Sequence, residues 1–207
     1  MDALNIVAAA SGIPFTLAVL ATLIVAAIWT NTHRAEIAPS DLNHWGYAPR
    51  HLSALQWRRI FTSLFFTVGG WRFYVSLIAT GLFLGSLESK LGSLRAASLF
   101  LGIHLLTLCC ESLLIVPAMR YFQLSLGDVL HSTQDVGPSA GYYGCLGALL
   151  LLDHWPAAAI SLVTLFLLLR VVVNLLLWGA SGSSLPADMA HVIAFSLGMA
   201  AGIFWLA

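Results

Sequence analysis

Two residues in the sequence have the chemistry of a nucleophile and of the base that could activate it. Ser139 sits in the stretch DVGPSAGYYG, residues 135–144, with Gly137, Pro138, Ala140 and Gly141 around it and an apolar run to Leu152 behind it. His191 sits in ADMAHVIAFSLG, near the start of the last apolar run. A serine hydroxyl within hydrogen-bond reach of an imidazole is the minimum for an activated nucleophile. The sequence offers no obvious acidic third member, so the pair reads as a dyad. A serine at a helix start has a further advantage. The unpaired backbone N–H groups and the positive dipole end there favour a developing oxyanion. Pro138 suits a first helical turn, and Gly137 lets the chain turn sharply into it. Taken singly, each residue has an ordinary explanation: an N-cap for Ser139, a satisfied interior histidine for His191. Ionisable residues inside apolar runs are nonetheless functional candidates.

The elements that must position this pair are membrane spans. The chain has 207 residues, 59% hydrophobic and 9% charged, where a soluble domain carries about 25% charged residues. Such a composition implies an all-α, polytopic membrane protein, expected to be a single domain over 1–207, multi-pass in the cell membrane. A formal net charge of zero suggests no nucleic-acid partner. Cys109, Cys110 and Cys145 all lie in apolar runs, without zinc-ligand spacing or the makings of a disulfide framework. The first 13 residues carry Asp2 and no Lys or Arg, so a signal peptide is not expected. Spanning about 30 Å of hydrocarbon takes about 20 apolar residues. Six spans follow: 14–30, 70–87, 94–117, 139–152, 157–178 and 187–206. A polar loop occupies 31–56, residues 57–69 read as interfacial, and a mixed loop runs over 118–137.

The fourth span is short: residues 139–152 cover only roughly 21 Å as a helix. Its far end is fixed by the boundary turn DHWP, residues 153–156. Ser139 therefore falls roughly 10 Å inside the hydrocarbon slab, and the loop before it must line a wet cavity or be buried in protein. One span separates the fourth from the sixth, so the two run in the same direction and Ser139 and His191 can share depth on one face. Gly141, Gly144 and Gly147 recur along the fourth span, and Gly198 and Gly202 along the sixth. Faces of small residues let two helix backbones approach closely, which a contact between these side chains requires.

These residues resemble the rhomboid family of intramembrane serine proteases, over roughly residues 57–207. The family's G-x-S-G at the start of its fourth helix is similar to Gly137-Pro138-Ser139-Ala140, and its aromatic four residues after the serine to Tyr143. Its A-H with a glycine seven residues on resembles Ala190-His191 and Gly198. Its W-R-x-x-T entry is similar to WRRIFTS around Arg59 and Thr62, and its E-x-x-x-G-S to Glu88, Gly92 and Ser93. The resemblance implies a six-helix rhomboid-like bundle with Ser139 and His191 catalytic, Gly137 and Ala140 supporting the oxyanion site, and Tyr143 packing on the imidazole. It implies a transmembrane protein substrate within the lipid bilayer, and no metal or organic cofactor. One departure stands out. Where the family has a second-helix histidine, and an asparagine four residues later, this chain has Arg72 and Ser76. Arg72 is open to two readings: charge stabilisation of an oxyanion, or an interfacial anchor.

The alternative function is a catalytically inactive rhomboid-like protein that binds or escorts membrane segments. A small transporter is a third class, with Arg170 and Glu111 on its path. These two charges interrupt the fifth and third spans, and a buried charge needs a partner, so a Glu111–Arg170 pair is expected. His104 reads as structural, and His131 and Asp135 as loop residues able to sense or admit substrate. The cations Arg34, Arg50, Arg58 and Arg59 share the face of Ser139, with Lys90 and Arg95 opposite. That distribution argues against the extracytoplasmic serine face which the resemblance implies, unless the first loop is partly embedded.

Overall fold

The computed structural model describes residues 12–178 and 184–206. Six principal helices form the bundle: α1 (Pro14–Trp29), α2 (residues 71–91), α3 (Ser93–Tyr121), α4 (Ser139–Leu152), α5 (Ala157–Trp178) and α6 (Leu185–Leu206). All six expected spans are helical. Three of them, α3, α5 and α6, are long and apolar enough by themselves to cross a membrane, and α1 and α4 are shorter apolar helices. Prolines begin several elements. Pro14 opens α1, and Pro39 and Pro49 open short helices at Pro39–Trp45 and Pro49–Ser53, positions where a missing N–H costs nothing.

Two helices run further than their hydropathy suggested. Both carry one widened π turn, Thr80–Leu84 in α2 and Glu111–Ile115 in α3. Insertions of this kind are common at functional sites. The segment expected as a mixed loop is also partly helical: α3 continues to Tyr121, and a further helix covers Ser125–Ser132. The polar first loop is not free. It folds back onto the bundle, burying Tyr47, Ala48 and Leu52. Arg59 pins it by donating to the carbonyls of Asn43 and Gly46, at 2.7 and 2.9 Å. That cation is therefore a structural tie rather than part of a free charged loop.

The core lies where α4 meets α3 and α6, with Phe100, Ile103, Cys145, Ala148 and Ala194 buried together. By contrast, α5 turns Leu162, Leu165, Phe166, Leu169 and Leu176 outward. Water would penalise that face at about 25 cal/mol per Å², and hydrocarbon would not. At the membrane face opposite Ser139, one buried carboxylate joins three helices. Glu88, 1% exposed, accepts from the backbone N–H groups of Phe15 and Thr16 at 2.8 and 2.7 Å, and from the hydroxyls of Thr16 and Ser93 at 2.6 Å each. Its charge thus satisfies orphan donors in the first turn of α1. Hydrogen bonds to a charged group contribute about 1.5–3 kcal/mol each. Glu88→Ala should therefore lose at least about 3 kcal/mol of stability in detergent unfolding. A variant that unfolds with the wild type would refute this role for the carboxylate.

Candidate active site

The site is built by the approach of α4 to α6. A Cβ on Gly198 would stand 2.0 Å from the carbonyl oxygen of Gly144, and one on Gly147 would stand 2.3 Å from that of Phe195. Any side chain at either position would push the two backbones apart. This contact brings Tyr143 onto His191, with ring centroids 4.3 Å apart and planes tilted by 33°. His191 itself is buried, 6% exposed.

Ser139 is the first residue of α4. The turn that delivers it is held from two sides. Gly137 has φ +151°, a conformation that favours glycine, and donates its N–H to the Ser63 carbonyl at 2.9 Å. Tyr47 and Asp135 exchange two backbone hydrogen bonds, at 2.9 and 2.8 Å, in an isolated antiparallel bridge. The first loop therefore fixes the segment that precedes the serine. Ser139 and Ala140 open onto a small cavity of about 30 Å³, also lined by Glu111, Asp135, His104 and Ala190. That volume admits a water molecule, which needs about 10–15 Å³ on this measure.

The structure brings Gly137, Ser139 and Ala140 to this cavity, together with the residue preceding His191. It does not join Ser139 to His191 by a hydrogen bond, and both ring nitrogens of His191 lack a hydrogen-bond partner among the described residues. Apo sites often hold catalytic hydrogen bonds long or misaligned. Arg72 does not line this cavity, although its charge reaches Asp135, which does. The Arg72 side chain is exposed, with the guanidinium 5.9 Å from the centroid of the Trp71 ring, the geometry of an interfacial anchor with a cation–π contact. Ser76 faces the hydroxyl of Tyr142. His104 places Nε2 3.1 Å from the Ile60 carbonyl oxygen, so that nitrogen carries the proton and the ring ties α3 to the first loop. His131 lies away from Ser139, on a lateral groove lined by Pro49, Trp57 and Arg120.

The expected Glu111–Arg170 pair is not formed. Glu111 lies in the widened turn of α3, is 4% exposed and points Oε1 into the protein without a partner among the described residues. Arg170 reaches α6 instead and pairs with Asp188, whose other oxygen accepts from the Asn174 amide. Asp188 also stands 3.7 Å from Nδ1 of His191. The dyad reading of the sequence missed this acid. Its signal was the i, i+3 spacing within DMAH, which places both side chains on one helix face. Among the described residues, no three His, Cys, Asp or Glu side chains are grouped as a metal would require.

Fold and site together define a helical integral membrane protein with a serine at a buried helix start. Residues 54–207, well over half of the chain, match the rhomboid domain family. The chain belongs to the rhomboid family. No curated protein matches it.

Two outcomes test this geometry. Gly198→Ala should lower the melting temperature of detergent-solubilised protein by several degrees, because a methyl cannot share space with the Gly144 carbonyl. Gly102→Ala, with nothing within 4 Å of its Cβ, should be neutral or slightly stabilising. Equal effects would remove the case for a backbone contact. Asp135, in the loop before α4, has its carboxyl pushed up to about 6, first by burial. A carboxyl raised in the folded state binds its proton more tightly there. Its stabilising contribution is present below the ordinary aspartate range and is lost as pH rises through about 6. Asp135→Asn should therefore match wild-type thermal stability at pH 4 and exceed it at pH 7.5. Equal stabilities at both pH values would contradict the assignment.

Proposed function

We propose that this rhomboid-family chain is an intramembrane serine protease that hydrolyses peptide bonds of membrane-spanning proteins. One observation carries the reading. Ser139 opens α4 at a polar cavity, while α6, in backbone contact with α4, carries His191 under the ring of Tyr143. Ser139 Oγ attacks the substrate carbonyl carbon. His191 accepts the hydroxyl proton and later delivers it to the leaving amine. The backbone N–H groups of Ser139 and Ala140, free of intrahelical acceptors in the first turn, face the charge that develops on the carbonyl oxygen. Water from the cavity then attacks the acyl-enzyme, and His191 takes the proton of that water. Tyr143 packs against one face of the imidazole, with the ring planes tilted by 33°, and restricts its rotation.

Arg72 has no part in this scheme. Loss of one oxyanion donor costs about 2.7–4 kcal/mol in a typical hydrolase, so a site relying on backbone donors is slower rather than inert. The second reading is a rhomboid-like protein without catalysis that binds membrane segments. It is favoured by the absence of the family's second-helix His and Asn and by the missing hydrogen bond at His191. A fluorophosphonate probe separates the two in detergent-solubilised protein. The protease reading expects labelling that Ser139→Ala abolishes and His191→Ala lowers at least tenfold. Equal background in all three chains would support the binder.

A further inference from the structure

Asp188 sits where an acid would support a catalytic histidine. It is 1% exposed, and its Oδ1 lies 3.7 Å from Nδ1 of His191, one helical turn along α6. It is also held firmly. Oδ2 accepts from the Asn174 amide, Oδ1 pairs with Arg170, and its backbone N–H donates to the Ser184 carbonyl at 3.0 Å. Ser184 in turn donates its hydroxyl to Asn174 Oδ1 at 2.8 Å. Arg170 and Asn174 lie four residues apart and so face α6 together. The carboxylate is thus fixed by α5 while facing the ring that α4 stacks through Tyr143.

We infer that Asp188 is a positioning residue for His191, making the proposed dyad a Ser139–His191–Asp188 relay in which Arg170 tempers the acid. The inference rests on the protease reading above. An acceptor at Nδ1 keeps the ring proton on that nitrogen and leaves the Nε2 lone pair free for the serine proton. When Nε2 takes that proton, the imidazolium gains a carboxylate at its other N–H. No net proton transfer to Asp188 is involved. A small rotation of the imidazole within the Tyr143 stack closes 3.7 Å to hydrogen-bond length. The unpartnered state of Nδ1 in a buried ring is what makes this closure favourable, since an unsatisfied buried polar group costs about 1–3 kcal/mol.

The charged and titratable groups facing His191 are Asp188 on its own helix, Arg170 on α5 and Tyr143 on α4. Asp188 could instead serve only to pin α5 to α6, and the two roles separate in the pH dependence of fluorophosphonate labelling. Asp188→Asn should lower the labelling rate at pH 7.5 at least tenfold. It should also move the acidic limb of the pH profile down, because the anion that favours imidazolium is gone. Asp188→Glu should recover part of both effects. Arg170→Met removes the ion pair between α5 and α6 but leaves the carboxylate and its Asn174 hydrogen bond, so Ser139-dependent labelling should persist with the acidic limb moved up. The inference is overturned if Arg170→Met loses as much labelling as Asp188→Asn. It is equally overturned if Asp188→Asn keeps the wild-type rate and limb. A wild-type chain without Ser139-dependent labelling fails differently, since that removes the protease reading itself.

Discussion

The structure depends on one close contact between backbones. The carbonyl and Cα of Gly144 occupy the space that a side chain on Gly198 would need, and the carbonyl of Phe195 does the same at Gly147. In lipid there is little hydrophobic drive between helices, so packing of this kind does the work of association. The consequence reaches the site directly. Tyr143 precedes Gly144, and His191 lies two helical turns before Gly198. The backbone contact therefore sets the separation at which the two rings stack. Ser139, one turn before Tyr143, takes its position from the same helix.

Polar groups then fix what packing leaves free. Two buried carboxylates act as junctions. Glu88 gathers α1, α2 and α3 at one face of the bundle, and Asp188 ties α6 to α5 at the other. Each is surrounded by donors, which is the condition for a charge to be tolerated inside an apolar fold. Without Arg170 and Asn174, α5 would offer α6 little beyond aliphatic contact, because most of its apolar surface faces outward. Glu111 is the exception. It occupies a widened turn beside the serine cavity with an unpartnered oxygen. Next to it, Asp135 is held in a segment that is tied by backbone bonds to Tyr47 and, through Gly137, to Ser63. The first loop, read from its arginines as a charged connection, is in effect the wall of the serine cavity.

Much of this was legible in the sequence, for identifiable reasons. The spans announced themselves because apolar runs of this length have few soluble uses, and prolines and glycines punctuated them. The bounds of α4 followed from the apolar run after Ser139 and the turn at residues 153–156. Span parity brought the serine and the histidine to one face. The π turns were illegible, since a one-residue bulge leaves the hydropathy of a helix unchanged. The partner of Arg170 was misassigned because two lone charges in apolar runs invited pairing. Asp188, at the very start of the sixth span, was not weighed as a partner. Which face of α5 meets α6 is a tertiary fact, and it decided the matter. Arg72 offered two readings, and its exposed place beside Trp71 favours the anchor.

The central claim concerns where a reacting atom would sit. An experimental structure of the chain after reaction with a phosphonate inhibitor tests it most directly. The account predicts phosphorus bonded to Ser139 Oγ, with a phosphoryl oxygen against the first backbone N–H groups of α4. It also predicts the His191 imidazole, still stacked on Tyr143, within about 3.2 Å of the adduct. An adduct on another serine, or a His191 ring turned away behind packed side chains, would contradict it.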